Sequence, residues 1–366
     1  MEIKEAYNWL ACMEKVAFET KRAMLDTGVD VREIYESSYN NKIEGFVNDL
    51  SVNINKDKLL NELINKENFD NAKEIYSRLE FMGIKTICEK NEDFPEKLKV
   101  INDRPFFIYY KGRMPDPQKP SVAIVGARAC TEYGKSIAEK AGKVLAGHGV
   151  QIISGMALGI DSNAQKGALE KGTSFGVLGC GVDVCYPQAN RKLYTDLVNK
   201  GGVMSEEWPG RGPLSMNFPK RNRIISGLCD VLLVVEARVK SGSLITVNYA
   251  LDQGKEIYAV PGRIGDGLSA GTNKLLEDGA CVYLRPETLL ERLGIDPKEE
   301  TLGLQGNISL EEDEKIVYSK LSLKKMHFNE LLSKTGFEVE QLSEILLAME
   351  FKGIIKQPLA FYYMKV

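Results

Sequence analysis

Residues 121–161, SVAIVGARACTEYGKSIAEKAGKVLAGHGVQIISGMALGID, decide the fold. Residues 122–125 (VAIV) form a continuous apolar run of strand length, followed by a turn of small residues, a helical stretch ending in Gly, a second apolar run at 150–154 and a second Gly-rich turn. Apolar runs that are continuous rather than alternating suit strands covered on both faces, and strand, turn, helix, strand is the repeat of a parallel sheet. Working outward, the unit recurs at 174–178 (SFGVL), 202–205 (GVMS), 231–236 (VLLVVE), 256–260 (EIYAV) and 281–284 (CVYL). Seven such strands predict an α/β fold, a Rossmann-like doubly wound, mostly parallel sheet. Ligands bind such sheets outside the carboxyl ends of the strands, so the turns carry the function.

The rest of the chain divides around this block. Residues 1–95 carry helical spacing and predict a small helical domain; 96–120 form a connector with a β-like stretch (PFFIYY, 105–110) and three prolines, Pro115, Pro117 and Pro120. The Rossmann-like domain is expected over 121–295, a linker over 296–309 and a winged helix over 310–366, where three helical stretches precede a hairpin. In that winged helix the second helix of the helix-turn-helix, 338–350, holds four glutamates and no base, so it suits a protein partner better than DNA. No run of 18 apolar residues occurs and the start of the chain carries Glu2, Lys4 and Glu5, which predicts a cytoplasmic protein with no membrane contact. Seven scattered cysteines without a CxxC pair, and only two histidines, argue against disulfides, a metal site or a His-based triad.

The net charge of -3 argues at first against a nucleic-acid partner, but it is segregated. Residues 1–118 hold 18 bases against 22 acids, 119–286 hold 20 against 15, and 287–366 hold 10 against 14. The basic middle coincides with the sheet domain.

Its turns hold anion-binding equipment. The first, from Gly126 through Arg128, lacks the GxGxxG spacing of a dinucleotide site, and no GxxxxGK[ST] occurs anywhere, so neither NAD nor P-loop ATP chemistry is expected and no cofactor is predicted. Arg128 offers a fork of donors at a strand end. The second turn contains Ser154, Gly155 and Gly159 ahead of a helix for which Asp161 reads as the N-cap. The third is Gly-rich around Gly181 and leads to Arg191 and Lys192, while Cys180 and Cys185 lack the helper histidine of a catalytic thiol.

The segment 217–227 (NFPKRNRIISG) is the most informative. Pro219 suits the first turn of a helix, Lys220, Arg221, Asn222 and Arg223 crowd its start, and Ile224, Ile225 and Leu228 face inward. Cations at the positive end of a helix dipole are unfavourable unless a polyanion offsets them, and Asn217 and Phe218 stand beside them, the ring available to stack on an unpaired base. Lys240, Ser241, Gly242, Ser243 and Thr246 complete the set at another helix start. All are expected to bind a phosphate chain, with no catalytic residue among them.

In order, the motifs VAIVGAR, SGMALGID, GCGVDVCYPQAN, NFPKRNRIISGL, SGSLIT, AVPG and GTNKLL resemble the bacterial DNA-processing protein A (DprA/Smf) family. That resemblance implies a homodimeric protein that binds and protects single-stranded DNA and loads the RecA recombinase, in recombination or natural transformation. It places Arg128, Lys220, Arg221 and Arg223 at phosphates and Phe218 and Asn222 near a base. The family usually has AH where this chain has Ala164 and Gln165, so a histidine role is unavailable. The competing class is an enzyme similar to the lysine-decarboxylase-like (LOG) nucleotide hydrolases, or a nucleotide-sensing module. The corresponding loop here, SGSLIT, is followed by Val247, Asn248 and Tyr249 with no carboxylate, so glycosidic cleavage lacks its general catalyst.

Overall fold

The computed structural model describes residues 1–51, 54–297, 311–322 and 324–365, in two compact units, Met1–Pro297 and Lys298–Val366. Most of the expected linker, from 298 to 309, lies outside the described residues.

Among the described residues of the first unit, nine strands form one sheet: β1 (Lys85–Cys88), β2 (Phe107–Gly112), β3 (Ser121–Val125), β4 (Gln151–Ser154), β5 (Ser174–Val177), β6 (Gly202–Ser205), β7 (Val231–Val234), β8 (Glu256–Ala259) and β9 (Cys281–Val282). Their order is β1-β2-β6-β5-β4-β3-β7-β8-β9. All pairs from β6 to β9 are parallel, with Val122 opposite Ile152 on one side and Val231 on the other. The seven strands expected from the apolar runs are all present. Two more were not counted. PFFIYY supplies β2, which pairs antiparallel with β6 (Tyr109 opposite Ser205), and KTIC supplies β1 within the stretch read as helical. An antiparallel edge needs no crossover helix, so these strands lack the repeat that exposes the others.

The chain winds outward from β3 to β6, then returns to place β7 on the other flank of β3. The β3/β7 boundary is therefore the switch point at which a crevice opens above the strand ends. Helix Asn217–Leu228 spans that rim, anchored by Ile224, Ile225 and Leu228, each at most 3% exposed and worth roughly 1.5–3 kcal/mol in burial.

Among the described residues, six helices between Ile3 and Arg78 form a layer around Trp9, Leu10, Val31 and Phe69 that shares a core with Phe106, Phe107 and Tyr109 of the β2 region. The Tyr109 hydroxyl donates to Asn8 at 2.7 Å, and the Arg22 guanidinium pairs with Glu89 at 2.8 Å. None of the described helices is long and apolar enough to cross a membrane.

In the second unit, helices Glu312–Lys320, Phe328–Thr335 and Val339–Phe351 surround Val317, Leu331, Leu342 and Met349. Strands β10 (Met326–His327), β11 (Ile355–Leu359) and β12 (Tyr362–Lys365) close it in the order β10-β12-β11, with β11 and β12 as an antiparallel hairpin.

Candidate functional site

A groove of about 610 Å³ opens at the β3/β7 switch point. Its walls come from the turns after β3, β4 and β7 and from the start of helix Asn217–Leu228. Of the residues singled out in the sequence, it brings together Gly126, Arg128, Phe218, Arg221, Asn222, Lys240, Ser241, Gly242, Ser243 and Thr246. It adds Arg238, which precedes Lys240 at the same turn, and Tyr186, which the sequence did not point to. Four cations, Arg128, Arg221, Arg238 and Lys240, face one carboxylate, Asp161.

The cations differ in kind. Arg128, Arg238 and Lys240 are exposed and free to meet an incoming charge. Arg221 is 7% exposed, and its Nη1 donates to the Gly155 carbonyl at 3.0 Å and to the Val177 carbonyl. Burial pushes its pKa down to about 10, against the compensating charge of Asp161. It ties the turn after β4 to the end of β5, and presents only part of its guanidinium to the groove.

Asp161 is not the N-cap expected of it. Gly159 holds that position and Asp161 lies in the first turn, where its carboxylate accepts from Gly155 N at 3.1 Å. Burial raises its pKa, and Arg221 and the Gly155 amide oppose that shift. At Gly159, with φ +81°, a Cβ would stand 2.3 Å from the Ala127 carbonyl oxygen, so only glycine lets this helix approach the loop that carries Arg128.

Glu236, just beyond β7, fixes the same loop from the other side. Its carboxylate accepts from Thr131 N at 2.9 Å and from Thr131 Oγ1 at 2.5 Å, and its backbone carbonyl accepts from Ala127 N at 2.7 Å. The start of helix Glu132–Gly147 is thus occupied by the protein's own carboxylate. Sequence reading could not assign Glu236, because its partners lie about a hundred residues earlier.

Phe218 is the centre of the site. The guanidinium carbons of Arg128 and Arg221 each lie 5.9 Å from its ring centroid, and Tyr186, 41% exposed, is tilted against it at 5.5 Å. Gly179 allows this, since a Cβ there would lie 3.0 Å from the ring. The helix beginning at Asn217 has no side-chain cap and no acid in its first turn, which leaves the positive end of its dipole beside the ring.

Several expected residues stand elsewhere. Arg223 is turned away: 4% exposed, it forms a two-pronged pair with Glu206 at 2.6 and 2.8 Å and donates to the Asp103 carbonyl at 2.7 Å. The crowding of cations at this helix start is therefore relieved from within, Arg221 by carbonyls and Arg223 by Glu206, and only Lys220 remains exposed, beside a second cavity. Asn217 is buried on that side too. Ser154 is buried beneath the rim with its hydroxyl donated to the Ile124 carbonyl, and Gly155 and Gly159 shape the loop behind it. Gly181 packs against the Trp208 carbonyl, and Arg191 and Lys192 are exposed at the next helix start without lining the groove. Gln165 is fully buried and donates to the Phe175 carbonyl at 3.1 Å, a place in the core rather than in the groove. Cys180 is buried with its pKa pushed up to about 11, the opposite of an activated thiol.

With this geometry in view, residues 85–294 match the family model described as DNA recombination-mediator protein A. The chain is 41% identical over 212 residues to DNA processing protein DprA of Streptococcus pneumoniae, covering 58% of this chain and 75% of that one. It is 41% identical over 205 residues to protein Smf of Escherichia coli, covering 56% of this chain and 55% of that one. Among solved structures, DNA processing protein A from S. pneumoniae superposes with a TM-score of 0.62 at 33% identity, over 76% of this chain and 98% of that one. The same protein from Helicobacter pylori, solved for its single-stranded DNA binding mode, gives 0.52 at 31% identity, over 57% and 95%.

Proposed function

The chain belongs to the DNA recombination-mediator protein A family, and on that premise we propose that it binds single-stranded DNA in the switch-point groove and hands the strand to the RecA recombinase. One observation carries the reading: a half-buried ring, Phe218, with two guanidinium groups each 5.9 Å from its centroid, in a groove with four cations and a single, internally engaged carboxylate. Such a surface attracts phosphates without reading bases, and the ring stacks on any unpaired base. Duplex DNA keeps its bases stacked on one another and offers the ring nothing.

The contact set we propose is Arg128, Arg238 and Lys240 for phosphates, the uncapped start of helix Asn217–Leu228 for one more, and Phe218 with Tyr186 and Asn222 for a base. Arg221 shapes the rim. The protein acts as a binder rather than an enzyme: Asp161, the groove's one carboxylate, already accepts from Gly155 N and compensates Arg221, so glycosidic cleavage has no free general acid or base. A homodimer and a division into a DNA-binding module over 121–295 with helical and winged-helix modules at its ends complete the proposal.

Fluorescence anisotropy with single-stranded and duplex oligonucleotides of one sequence tests it, followed by RecA filament assembly on the same strand with and without the protein. Preference for the single strand and faster assembly are expected. Equal affinity for duplex refutes the binding reading, and unchanged assembly refutes the hand-over.

A further inference from the structure

We propose that a second cavity, across helix Asn217–Leu228 from the groove, receives a nucleobase of the bound strand. This rests on the single-stranded DNA reading and adds a place for a base that the groove does not supply. The cavity has a volume of about 380 Å³ and lies above the ends of β5 and β6, closed on its far side by the N-terminal helical layer through Phe18 and Lys21.

Three observations converge on that occupant. Asn217 lines the cavity, is 5% exposed, and its Nδ2 has no hydrogen-bond partner among the described residues. A buried amide left unpaired is costly, and a base edge, with its carbonyl and ring-nitrogen acceptors, would satisfy it. Secondly, Trp208 and Arg211 both line the cavity and are stacked on one another, the guanidinium carbon 4.0 Å from the ring centroid, and a planar group of either kind offers a stacking surface to any base. Thirdly, the buried and half-buried charges around the cavity are engaged internally, and the exposed Lys220 and Glu19 at its edge are of opposite sign. Arg223 pairs with Glu206 at 2.6 Å, Arg211 with Glu207 at 2.7 Å, and Lys21 donates to the Ala11 carbonyl at 3.1 Å. What remains is a polar, balanced surface that fits a neutral, planar, hydrogen-bonding group better than a phosphate.

Position links this cavity to the groove. Asn217 and Phe218 are adjacent in the chain, their Cα atoms about 3.8 Å apart, yet one side chain serves the cavity and the other the groove. A strand crossing the helix start thus has one base at Phe218 and a neighbour at Asn217.

Trp208 makes the test direct. The chain has two tryptophans, and Trp9 is buried in the helical layer away from the cavity, so a change in emission on binding reports on Trp208. The full chain is titrated with a labelled oligo(dT), with an abasic strand of equal length, and with dTMP, anisotropy following binding of the strands and tryptophan emission following the cavity. Oligo(dT) is expected to change the emission saturably and the abasic strand to bind without doing so. Asn217→Ala is expected to weaken oligo(dT) about three- to tenfold and leave the abasic strand unaffected. Binding of oligo(dT) with no change in emission, or the same change from the abasic strand, overturns the inference while sparing the groove. A change from dTMP but not from oligo(dT) assigns the cavity to a free nucleotide and overturns the strand's path. Binding of neither strand overturns the single-stranded DNA reading and this inference together. The emission readout needs no variant, so a poorly folding Asn217→Ala does not decide the outcome.

Discussion

Two arginines from adjacent walls of the groove are predicted to fail in opposite ways when truncated. In Arg221→Ala, the Gly155 and Val177 carbonyls lose a charged donor, and Asp161, buried beside it, loses its compensating charge. Breaking a buried arrangement of this kind costs about 3–5 kcal/mol, a large part of a typical folding free energy. Arg128 is exposed, so Arg128→Ala should change stability by no more than about 0.5 kcal/mol. Its loss should appear in binding: removing one phosphate contact on a single strand reduces the slope of log K against log salt by about 0.7. Between about 50 and about 200 mM salt, the wild type's advantage over the variant should therefore shrink about two- to threefold. Urea denaturation supplies the first comparison and anisotropy with a labelled single strand the second. A stable Arg221→Ala protein with a reduced salt slope would refute the assignment, because it would make Arg221 a phosphate ligand and not a strut. A double variant of Arg128 and Arg221 separates nothing, since it confounds unfolding with lost contacts.

Other expectations follow from single distances and shifts. Gly159→Ala, at φ +81° with a Cβ 2.3 Å from the Ala127 carbonyl oxygen, should destabilise the first unit by more than about 3 kcal/mol, measurable by urea denaturation. Burial lowers the Lys21 pKa from its ordinary 10.5 to about 8. Between those values the unfolded chain binds the extra proton, so this residue's contribution to stability rises with pH. The unfolding free energy of wild type relative to Lys21→Met should accordingly shift in the wild type's favour from about pH 8 to about pH 10.5, and a flat difference would contradict the burial argument. Removing residues 298–366 should leave single-stranded DNA affinity unchanged within error, because every proposed contact lies in the unit Met1–Pro297. A large loss would move the second unit into the binding surface.

The parallel sheet was legible because its strands are buried on both faces and so appear as unbroken apolar runs. β1 was not, because KTIC is four residues long and antiparallel, without the Gly-rich turn and helix that mark the others. The groove's location followed from chain order, since the turns that line it sit at the carboxyl ends of β3, β4 and β7. What the sequence could not resolve was direction. Lys220, Arg221, Asn222 and Arg223 are consecutive, and helical geometry sends them to different sides: Asn222 to the groove, Arg221 beneath it, Arg223 to Glu206 and Lys220 to the other cavity. A cluster of cations in one dimension became one strut, one ion pair and one exposed ammonium in three. Tyr186 and Glu236 were missed for a related reason, since each acts through a partner tens of residues away.

On the proposed function, exposed cations around Phe218 hold a single strand by its phosphates. The most direct test of this is the salt dependence of single-strand and duplex binding by wild type and by Arg128→Ala combined with Lys240→Ala. Tighter binding of the single strand is expected at every salt concentration, with a slope lower by about 1.4 in the double variant at unchanged stability. Equal affinity for duplex, or a slope that the double variant does not alter, would contradict it.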